Sequence, residues 1–300
     1  MTSAPVLPPD PTTAPPALPR DPETSGTLAL ADAAGEALLQ LRASTPLVQC
    51  LTNEVTTNLV ANALLAVGAS PAMAAVPGEA EELAGVAGAL LVNLGTPGPD
   101  QRACVEPTVA VAVGARTPWV LDPVAVGVLS VRTRLAARLL TERPAVVRGN
   151  ASEVRALAGA ASAGRGVDAR DGVDAARAAA AGLAARYGTV VAVSGPVDLV
   201  TDGTHEVRLA VGHRFLTLVT GAGCALGGVV AAFSAVAEPL VAAVGASTLL
   251  GLAAERAAEH AAGPASFQVA LVDHLHAVTA DDLAARVLAA ATVDVVGVPA

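Results

Sequence analysis

The sequence predicts an α/β fold of three layers, in which helices cover both faces of a mostly parallel central sheet. Short apolar runs alternate along the chain with amphipathic segments, as in repeated strand–helix–strand units. The apolar runs lack alternating polar positions, which is typical of strands that are buried on both faces. An Asp-Gly pair at 202–203 separates two further short runs and predicts an antiparallel hairpin at one edge of the sheet.

The individual elements follow from the same alternation, taken in chain order. Residues 28–41 have apolar positions at three-and-four spacing, which predicts a helix before the first strand. Asn53 is placed to cap the helix after that strand, and Asn150 and Glu153 form a capping-box pattern before a later helix. The predicted strands are 47–51, 72–76, 89–93, 119–122, 145–147 and 190–193; the predicted helices run to 67, onward from 78, and over 99–115, 135–142 and 169–187, with mostly helix beyond 221.

The first 26 residues differ from the rest of the chain. They are rich in Pro, Thr and Ala and have no periodic apolar face, so we expect a disordered tail followed by a single domain over 27–300. They also lack the apolar segment of a signal peptide. Residues 215–237 contain no charge and reach the length of a membrane span. Their glycines and threonines, without flanking anchors, favour a buried helix, and we expect no membrane association.

The composition excludes several classes of function. Hydrophobic residues make up 53% of the 300 residues and charged residues 15%, so the bulk of the chain cannot be disordered. A net charge of −9 argues against a protein that binds nucleic acid through a basic face. Lysine is absent, which excludes both a Walker A lysine and a Schiff-base lysine. The three cysteines lack the spacing of a disulfide framework or a zinc site, so we expect a reducing, cytoplasmic setting.

Polar residues follow the predicted strands at their carboxyl ends, where ligands bind in open α/β sheets. Each of these segments alone would fit an ordinary turn or helix cap. Their convergence on one edge of the sheet predicts a binding site there. The five segments are Asn93-Leu-Gly-Thr96, Asp122-Pro-Val124, Arg148-Gly-Asn150, Ser194-Gly-Pro-Val-Asp198 and Thr220-Gly-Ala-Gly-Cys224.

The last of these segments is rich in glycine and precedes an apolar helix. The backbone N–H groups of such a loop, with the dipole of the helix, form an anion hole suited to a phosphoryl group in transfer. Cys224 is predicted at the N-terminus of this helix, where the pKa of a thiol falls. The alternative role of Cys224 is that of a small, buried apolar side chain.

Three charged residues at the same edge suit a metal ion and a phosphate group. Asp122 and Glu153 are placed to face one Mg²⁺, which prefers carboxylate and water oxygens. The alternatives are a turn residue before proline for Asp122 and a helix cap for Glu153. Arg148 can clamp phosphate oxygens with two parallel hydrogen bonds, and its alternative is a solvated surface arginine.

Six segments carry a resemblance to a known family over about residues 28–290. They are Pro46-Leu-Val-Gln-Cys-Leu-Thr-Asn-Glu-Val55, Ala63-Leu-Leu-Ala-Val-Gly-Ala-Ser-Pro-Ala-Met73, Asn93-Leu-Gly-Thr96, Leu121-Asp-Pro-Val124, Arg148-Gly-Asn-Ala-Ser-Glu153 and Thr220-Gly-Ala-Gly-Cys224. In this order they resemble the hydroxyethylthiazole kinases of thiamine biosynthesis, members of the ribokinase-like superfamily. The resemblance implies a ribokinase-like fold and transfer of phosphate from ATP, with Mg²⁺, to 4-methyl-5-(2-hydroxyethyl)thiazole.

The resemblance also implies the role of each site residue. Cys224 takes the position of the catalytic base. The residues implied for the thiazole site are Met73, Gly221, Asn53 and Val55; those for ATP are Arg148 and Ser194; those for magnesium are Asp122 and Glu153. A homotrimer is implied as well, with the thiazole bound between subunits, where Met73 of one faces the Asn93–Thr96 loop of the next.

Two departures from the family pattern bear on activity. The loop after Asp-Pro-Val is usually Gly-Ala-Gly in the family and is Ala125-Val126-Gly127 here. Ser194 stands where a threonine is common, and it retains the hydroxyl. The departure at Ala125-Val126 leaves open a nucleotide- or thiazole-binding relative without turnover. A related kinase for another small alcohol, such as hydroxymethylpyrimidine, also stays open, because the sequence does not show the shape of the pocket.

Overall fold

The computed structural model describes residues 22–159 and 172–295. The helices are α1 (Pro22–Ser44), α2 (Thr57–Val67), α3 (Glu79–Ala84), α4 (Pro99–Ala115), α5 (Ser130–Leu140), α6 (Ala151–Leu157), α7 (Arg177–Tyr187), α8 (Ala222–Ser234), α9 (Pro239–His260), α10 (Pro264–Ala277) and α11 (Ala280–Ala290). The strands are β1 (Leu47–Leu51), β2 (Ser70–Ala72), β3 (Ala89–Asn93), β4 (Trp119–Asp122), β5 (Val146–Asn150), β6 (Val190–Ser194), β7 (Asp198–Thr201), β8 (His205–Leu209) and β9 (Ala291–Val295). Short 3-10 helices span Val173–Ala176 and Arg214–Leu218.

The nine strands form one sheet in the order β2-β1-β3-β4-β5-β6-β7-β8-β9. Strands β1 to β6 are parallel, because at least one helix between each strand and the next returns the chain to the same end of the sheet. Strand β7 turns back against β6, and β8 and β9 continue the antiparallel part. The predicted mostly parallel sheet with an antiparallel edge hairpin is therefore confirmed.

Helices cover both faces of the sheet and enclose two apolar cores. Leu91 packs with the core beneath α1, α2, α8 and α9, and the next residue back, Leu90, packs with the core beneath α4, α5 and α7. Both leucines are fully buried. Successive side chains of a strand point to opposite faces, so strands that are buried on both sides need apolar residues at every position. The predicted three-layer architecture is confirmed.

The N-terminal helix begins earlier than the sequence indicated. Helix α1 starts at Pro22, so residues 22–26 are helical and not part of a disordered tail. The rest of the predicted tail, residues 1–21, lies outside the described residues, as do positions 169–171 of the predicted helix 169–187. Proline suits the first turn of a helix because its missing N–H would have no partner there.

The segment after β1 differs from the prediction in two places. Asn53 does not cap α2, whose N-cap is Thr56. Instead, the Asn53 side chain accepts a hydrogen bond from the N–H of Val55 at 3.1 Å, which forms a turn before the helix. The strand predicted over 72–76 is the shorter β2 at the sheet edge, and residues 73–76 follow it without strand pairing.

The apolar C-terminal half is helical as expected, with two refinements. The charge-free run 215–237 is divided between a 3-10 helix and the 13-residue α8, whose residues are almost all buried. Helix α9 is long and apolar enough to cross a membrane, and 78% of its most apolar window is buried by the rest of the fold. Strand β9 was not predicted, because its pairing with β8 at the sheet edge is set by backbone contacts across the chain.

Candidate active site

Four strands of the sheet end in polar residues at one edge. Asn93 and Asp122 are the last residues of β3 and β4 and lie in register with each other. Asn150 and Ser194 are the last residues of β5 and β6 and are likewise paired. The predicted convergence is confirmed for these four. The fifth segment, Thr220–Cys224, follows the second 3-10 helix and not a strand, and it forms the start of α8.

Asp122 is completely buried and held by Asn93. Asn93 Nδ2 donates to Asp122 Oδ2 at 2.7 Å. The backbone N–H of Gly95 donates to Asn93 Oδ1 at 2.9 Å, which fixes the orientation of that amide. Helix α8 approaches closely from above: a Cβ at Gly227 would lie 3.3 Å from Asp122 Oδ2. A side chain at this position would be tightly packed against the carboxylate.

The Asp122 carboxyl has a raised pKa. Burial raises the pKa of Asp122 from 3.8 to about 7; the Arg148 guanidinium opposes this rise, and the nearby Glu153 carboxylate adds to it. Its Oδ1 is buried and accepts no hydrogen bond from any group within residues 22–159 and 172–295. A buried carboxylate oxygen of this kind has a free lone pair for a cation or a donor from a ligand.

Arg148 is in the middle of β5, and its side chain reaches the start of α8. Its Nη2 donates to Ser194 Oγ at 2.9 Å, and its Nη1 lies 3.8 Å from Asp122 Oδ2. A Cβ at Gly223 would lie 2.7 Å from Nη1, so the guanidinium fills the space that this glycine leaves. The side chain of Arg148 is 13% exposed, and its buried Nε has no hydrogen-bond acceptor among the described residues. It is not a solvated surface arginine, and it can still donate to an anion.

Glu153 joins two turns at the strand ends. Its Oε1 accepts from the N–H of Ala125 at 2.9 Å, and its Oε2 accepts from the N–H of Asn150 at 2.9 Å. Asn150 Oδ1 accepts in return from the N–H of Glu153, so the predicted capping box is confirmed. Glu153 therefore orders the loop after Asp122. Ala125 has a φ of +60° in that loop, a conformation that favours glycine.

Cys224 is buried in the first turn of α8, and the predicted direction of its pKa shift is wrong. Burial raises the pKa of the Cys224 thiol, and the nearby Asp122 charge raises it further. Hydrogen bonding with Thr56 and Asn93 and the charge of Arg148 act in the opposite direction without reversing the shift. Desolvation of the thiolate is the largest of these effects, so burial favours the neutral thiol over the thiolate.

Gly221 brings α8 against α2. It has a φ of +90° and precedes the first residue of α8. A Cβ there would lie 2.7 Å from Cβ of Thr56, and no rotamer change could relieve such a contact. The glycines of this segment therefore allow two close approaches, of Gly221 to Thr56 and of Gly223 to Arg148.

A cleft of about 610 Å³ opens beside Arg148. This volume is within the range of small-molecule sites, roughly 300–1,000 Å³. The lining combines polar groups suited to phosphate with aliphatic side chains suited to a flat ring. The polar part includes Arg148, Ser194 and Gly223, and the aliphatic part includes Val211, Leu216, Leu226 and Leu250.

Comparisons with known proteins agree with this geometry. The sequence profile of the hydroxyethylthiazole kinase family matches residues 38–281. The chain is 55% identical over 257 residues to a hydroxyethylthiazole kinase of Clavibacter sepedonicus, covering 85% of this chain and 92% of that protein. It is 51% identical over 252 residues to a hydroxyethylthiazole kinase of Cereibacter sphaeroides strain ATCC 17029, covering 84% and 96%.

The chain belongs to the hydroxyethylthiazole kinase family.

Solved structures support the same assignment at the level of the fold. A hydroxyethylthiazole kinase from Pyrococcus horikoshii OT3 superposes with a TM-score of 0.76 at 39% identity, covering 82% of this chain and 93% of that one. Pyridoxal kinase from Staphylococcus aureus, solved with ADP, has a TM-score of 0.55 at 15% identity, covering 70% and 88%. The second likeness concerns the fold alone, which is the ribokinase-like fold implied by the sequence.

Three of the residues that the family resemblance implies for the thiazole, Met73, Asn53 and Val55, do not line the cleft beside Arg148. Met73 follows the edge strand β2 and packs partly against the core beneath α2 and α8. Val55 is 68% exposed. Asn53 lies beside the Asn93–Thr96 loop, where a Cβ at Gly95 would lie 2.6 Å from its Nδ2. These positions lie on the β2 side of Cys224, whereas the cleft lies on the β6 side.

Of the two carboxylates that the sequence suggests as magnesium ligands, Asp122 is better suited to the ion than Glu153. Within residues 22–159 and 172–295, no three His, Cys, Asp or Glu side chains form a cluster that could hold a metal by themselves. Mg²⁺ commonly takes one or two carboxylates and fills its remaining positions with water and substrate phosphates. The free Oδ1 of Asp122 suits that role. Both oxygens of Glu153 already accept backbone hydrogen bonds.

From the sequence, Asn93 was identified only as a polar strand end, and Thr56 was not singled out. Asn93 holds Asp122 and reaches Cys224, and Thr56 hydrogen-bonds with Cys224. Asparagine at the end of an otherwise apolar strand was a usable signal for the first. Thr56 gives no such signal, since its proximity to Cys224 depends on the packing of α2 against α8.

Proposed function

We propose that this protein transfers the γ-phosphate of ATP to the hydroxyl of 4-methyl-5-(2-hydroxyethyl)thiazole. The observation that carries the proposal is the position of Arg148, which is buried at the glycine-rich start of α8 with donors free for an anion. The proposal is also supported by family membership over residues 38–281. In the reaction, the hydroxyl oxygen of the thiazole alcohol forms a bond to the γ-phosphorus of ATP. The bond between that phosphorus and the β–γ bridging oxygen breaks, and ADP leaves.

The nucleotide is assigned to the cleft beside Arg148. The polyphosphate would lie near Arg148, Ser194 and the N–H groups at the start of α8, where the helix dipole favours negative charge. The aliphatic part of the lining suits the apolar faces of a nucleobase. Catalysis of phosphoryl transfer is mainly positioning and charge stabilisation, so a chain without lysine can use an arginine and backbone N–H groups for it.

Cys224 is proposed as the group that takes the proton of the hydroxyl. It lies between the nucleotide cleft and the side on which Met73, Asn53 and Gly221 are expected to hold the thiazole. Because burial raises the pKa of its thiol, only a small fraction is thiolate at neutral pH. The activity should therefore rise with pH as this fraction grows.

Mg²⁺ is proposed as the metal of the reaction. Asp122 would hold it, since its Oδ1 accepts no hydrogen bond from the described residues, and Glu153 orders the Ala125 loop that follows. When bound, the ion would neutralise charge on the phosphate oxygens. Asn93 keeps Asp122 oriented whether or not the ion is present, since its amide is itself fixed by Gly95.

The protein is further proposed to act as a homotrimer in the cytoplasm, with residues 27–300 as one domain. The exposed Val55 and the partly buried Met73 lie beside the short edge strand β2, where a neighbouring subunit can cover them. The site is then completed between subunits, as the family resemblance implies. A cytoplasmic location suits three cysteines that are all free thiols.

A coupled assay of ADP release tests the proposal across several alcohols. With ATP and Mg²⁺, we expect turnover of the thiazole alcohol at a kcat/KM at least 10-fold above that of hydroxymethylpyrimidine. Removal of the metal with EDTA should abolish turnover, and added Mg²⁺ should restore it. Turnover of the pyrimidine alone would establish the related kinase instead. Thiazole binding in calorimetry without any ADP release would establish the relative that has lost turnover.

A further inference from the structure

One wall of the nucleotide cleft has no regular secondary structure of its own. Residues 211–213, here called the cleft wall, lie between β8 and the second 3-10 helix and line the cleft. Gly212 has a φ of +117° in the middle of this segment. Such a segment needs contacts from its neighbours to keep one conformation, because neither a helix nor a sheet ladder orders it.

An ion pair between α9 and α11 supplies those contacts. Glu255 Oε1 accepts from the N–H of Gly212 at 3.1 Å. Arg286 Nη2 donates to the carbonyl oxygen of Ala210 at 2.9 Å. Arg286 also binds Glu255 through Nε at 3.0 Å and Nη2 at 2.6 Å. The ion pair therefore binds the N–H group of Gly212 within the wall and the carbonyl group of Ala210 just before it.

The contacts of the pair favour the charged form of Glu255, although both side chains are partly exposed. Burial acts to raise the pKa of Glu255, but the hydrogen bonds from Arg286 and Gly212 outweigh it, and the net shift is downward. Neither Glu255 nor Arg286 lines the cleft. Any effect of the pair on a ligand must therefore pass through the wall that it holds.

Helix α9 also fixes the wall from below. Val211 packs against Gly251: a Cβ at Gly251 would lie 2.6 Å from Val211 Cγ2. Gly251 and Glu255 are four residues apart, so they lie on one face of α9. The wall therefore packs on one face of α9, where Val211 contacts Gly251 and Gly212 donates a hydrogen bond to Glu255 one turn later.

We propose that Glu255 and Arg286 are positioning residues for the nucleotide, because they hold the cleft wall in the conformation that binds it. This inference rests on the proposed function, which places the nucleotide in the cleft. Loss of the pair leaves the chemistry at Cys224 and Arg148 intact and weakens nucleotide binding. The thiazole side of the site, near Met73, is unaffected.

A second ion pair between the same two helices provides a matched control. Arg256 Nη2 lies 2.8 Å from Asp282 Oδ1, and the Arg256 side chain is 32% exposed, compared with 23% for Arg286. Arg256 joins α9 to α11 as Arg286 does, but among the described residues its side chain donates hydrogen bonds to Asp282 and not to the cleft wall. Removal of Arg256 therefore reproduces the loss of an interhelical ion pair without the loss of the wall contacts.

Calorimetric titration with ADP, together with steady-state kinetics, tests the inference on the full chain. Arg286→Ala should raise the Kd for ADP and the KM for ATP about 5- to 20-fold, with kcat and the KM for the thiazole alcohol within about 2-fold. Glu255→Gln keeps an oxygen for the Gly212 N–H and loses the charge, so a smaller rise of about 2- to 5-fold is expected. Arg256→Ala should change the Kd for ADP by less than about 2-fold, at a comparable loss in Tm.

The outcomes separate this inference from the function on which it rests. Equal Kd values for ADP in Arg286→Ala, Arg256→Ala and the wild type would overturn the positioning role and leave the kinase proposal in place. Failure of the wild type to bind ADP would overturn the nucleotide cleft itself. If Arg286→Ala does not fold, Glu255→Gln decides the question through the same titration, and an unchanged Kd in that variant would overturn the inference.

Discussion

Arg148 Nη1 lies 3.8 Å from Oδ2 of the buried Asp122, which is close enough for attraction but too long for a hydrogen bond. Asn93, and not the arginine, holds that oxygen at 2.7 Å. The charge of Arg148 is therefore only partly satisfied within the protein. An anion placed beside it can gain hydrogen bonds without competing with a tight ion pair.

The partly satisfied arginine leads to a prediction for nucleotide use. Arg148→Ala should lower kcat/KM for ATP by about 10²- to 10³-fold, as when one preorganised donor to a transferring group is removed. Arg148→Lys should recover little of this loss, because an ammonium group cannot reproduce the planar fork. Steady-state kinetics with varied ATP provide the measurement. Arg138→Ala removes an exposed ion pair with Glu106 and should leave kcat/KM unchanged; an equal loss in both variants would contradict the role of Arg148.

The raised pKa of Cys224 leads to a prediction for the dependence of activity on pH. Cys224→Ala should lower kcat by about 10²- to 10⁴-fold, the usual contribution of a general base. The wild-type rate should rise between neutral and alkaline pH as the thiolate forms. Cys224→Asp should remain active and move that rise to lower pH, since a carboxylate loses its proton more readily. Cys104→Ala, which removes a buried thiol on the other face of the sheet, is the control. Wild-type turnover by Cys224→Ala would reduce Cys224 to a packing residue.

The buried Asp122 leads to a prediction for stability without metal or nucleotide. Folding raises the pKa of Asp122 from 3.8 to about 7. Its protonated form is thus favoured in the native state, and this contribution is complete below pH 3.8 and lost as the pH rises through about 7. The free energy of unfolding of the wild type, relative to Asp122→Asn, should therefore fall by about 2–4 kcal/mol between pH 4 and pH 8. Urea unfolding of both proteins in EDTA measures this difference, and a difference independent of pH would exclude the raised pKa.

The loop after Asp122 leads to a prediction about backbone strain. Ala125 has a φ of +60°, in the left-handed region that favours glycine. Ala125→Gly should raise the free energy of unfolding by about 1 kcal/mol, because glycine adopts this conformation without strain. Ala137→Gly, at an exposed position inside α5, should lower it by about 0.5–1 kcal/mol. Thermal or urea unfolding compares the two, and the same sign for both would mean that Ala125 is not strained.

The proposed trimer leads to a prediction for dilution. If the thiazole site is completed between subunits near Met73, activity should fall as the assembly dissociates, and the thiazole alcohol should slow the loss by binding only the assembled form. Light scattering after size exclusion, with activity measured on the same fractions, gives the comparison. Val55→Glu places a charge on an exposed apolar position of that side and should promote dissociation. A fully active monomer would contradict both the trimer and the shared site.

The fold was accessible from the sequence wherever burial is shown by local pattern. Strands β1, β3 and β4 were predicted at their observed ends, because strands buried on both faces are apolar at every position. The capping box of Asn150 and Glu153 was also predicted, since its members are three residues apart. The predictions of element boundaries were wrong where the same residue type suits two different local structures. Asn53 forms a turn before α2 and does not cap it, although either role suits its side chain.

The sequence by itself determined the three-layer order, the polar strand ends and the family. It also determined which glycines stand beside Cys224, and these allow the close approaches to Thr56 and Arg148. Only the tertiary structure decided the sign of the pKa shift of Cys224, because that sign depends on burial and on a carboxylate from a strand about 100 residues away along the chain. The support of the cleft wall by Glu255 and Arg286 was likewise decided by packing. Nothing in the sequence around Glu255 or Arg286 indicates which charged residue will be its partner. The packing of α9 against α11 brings the two side chains together beside Gly212.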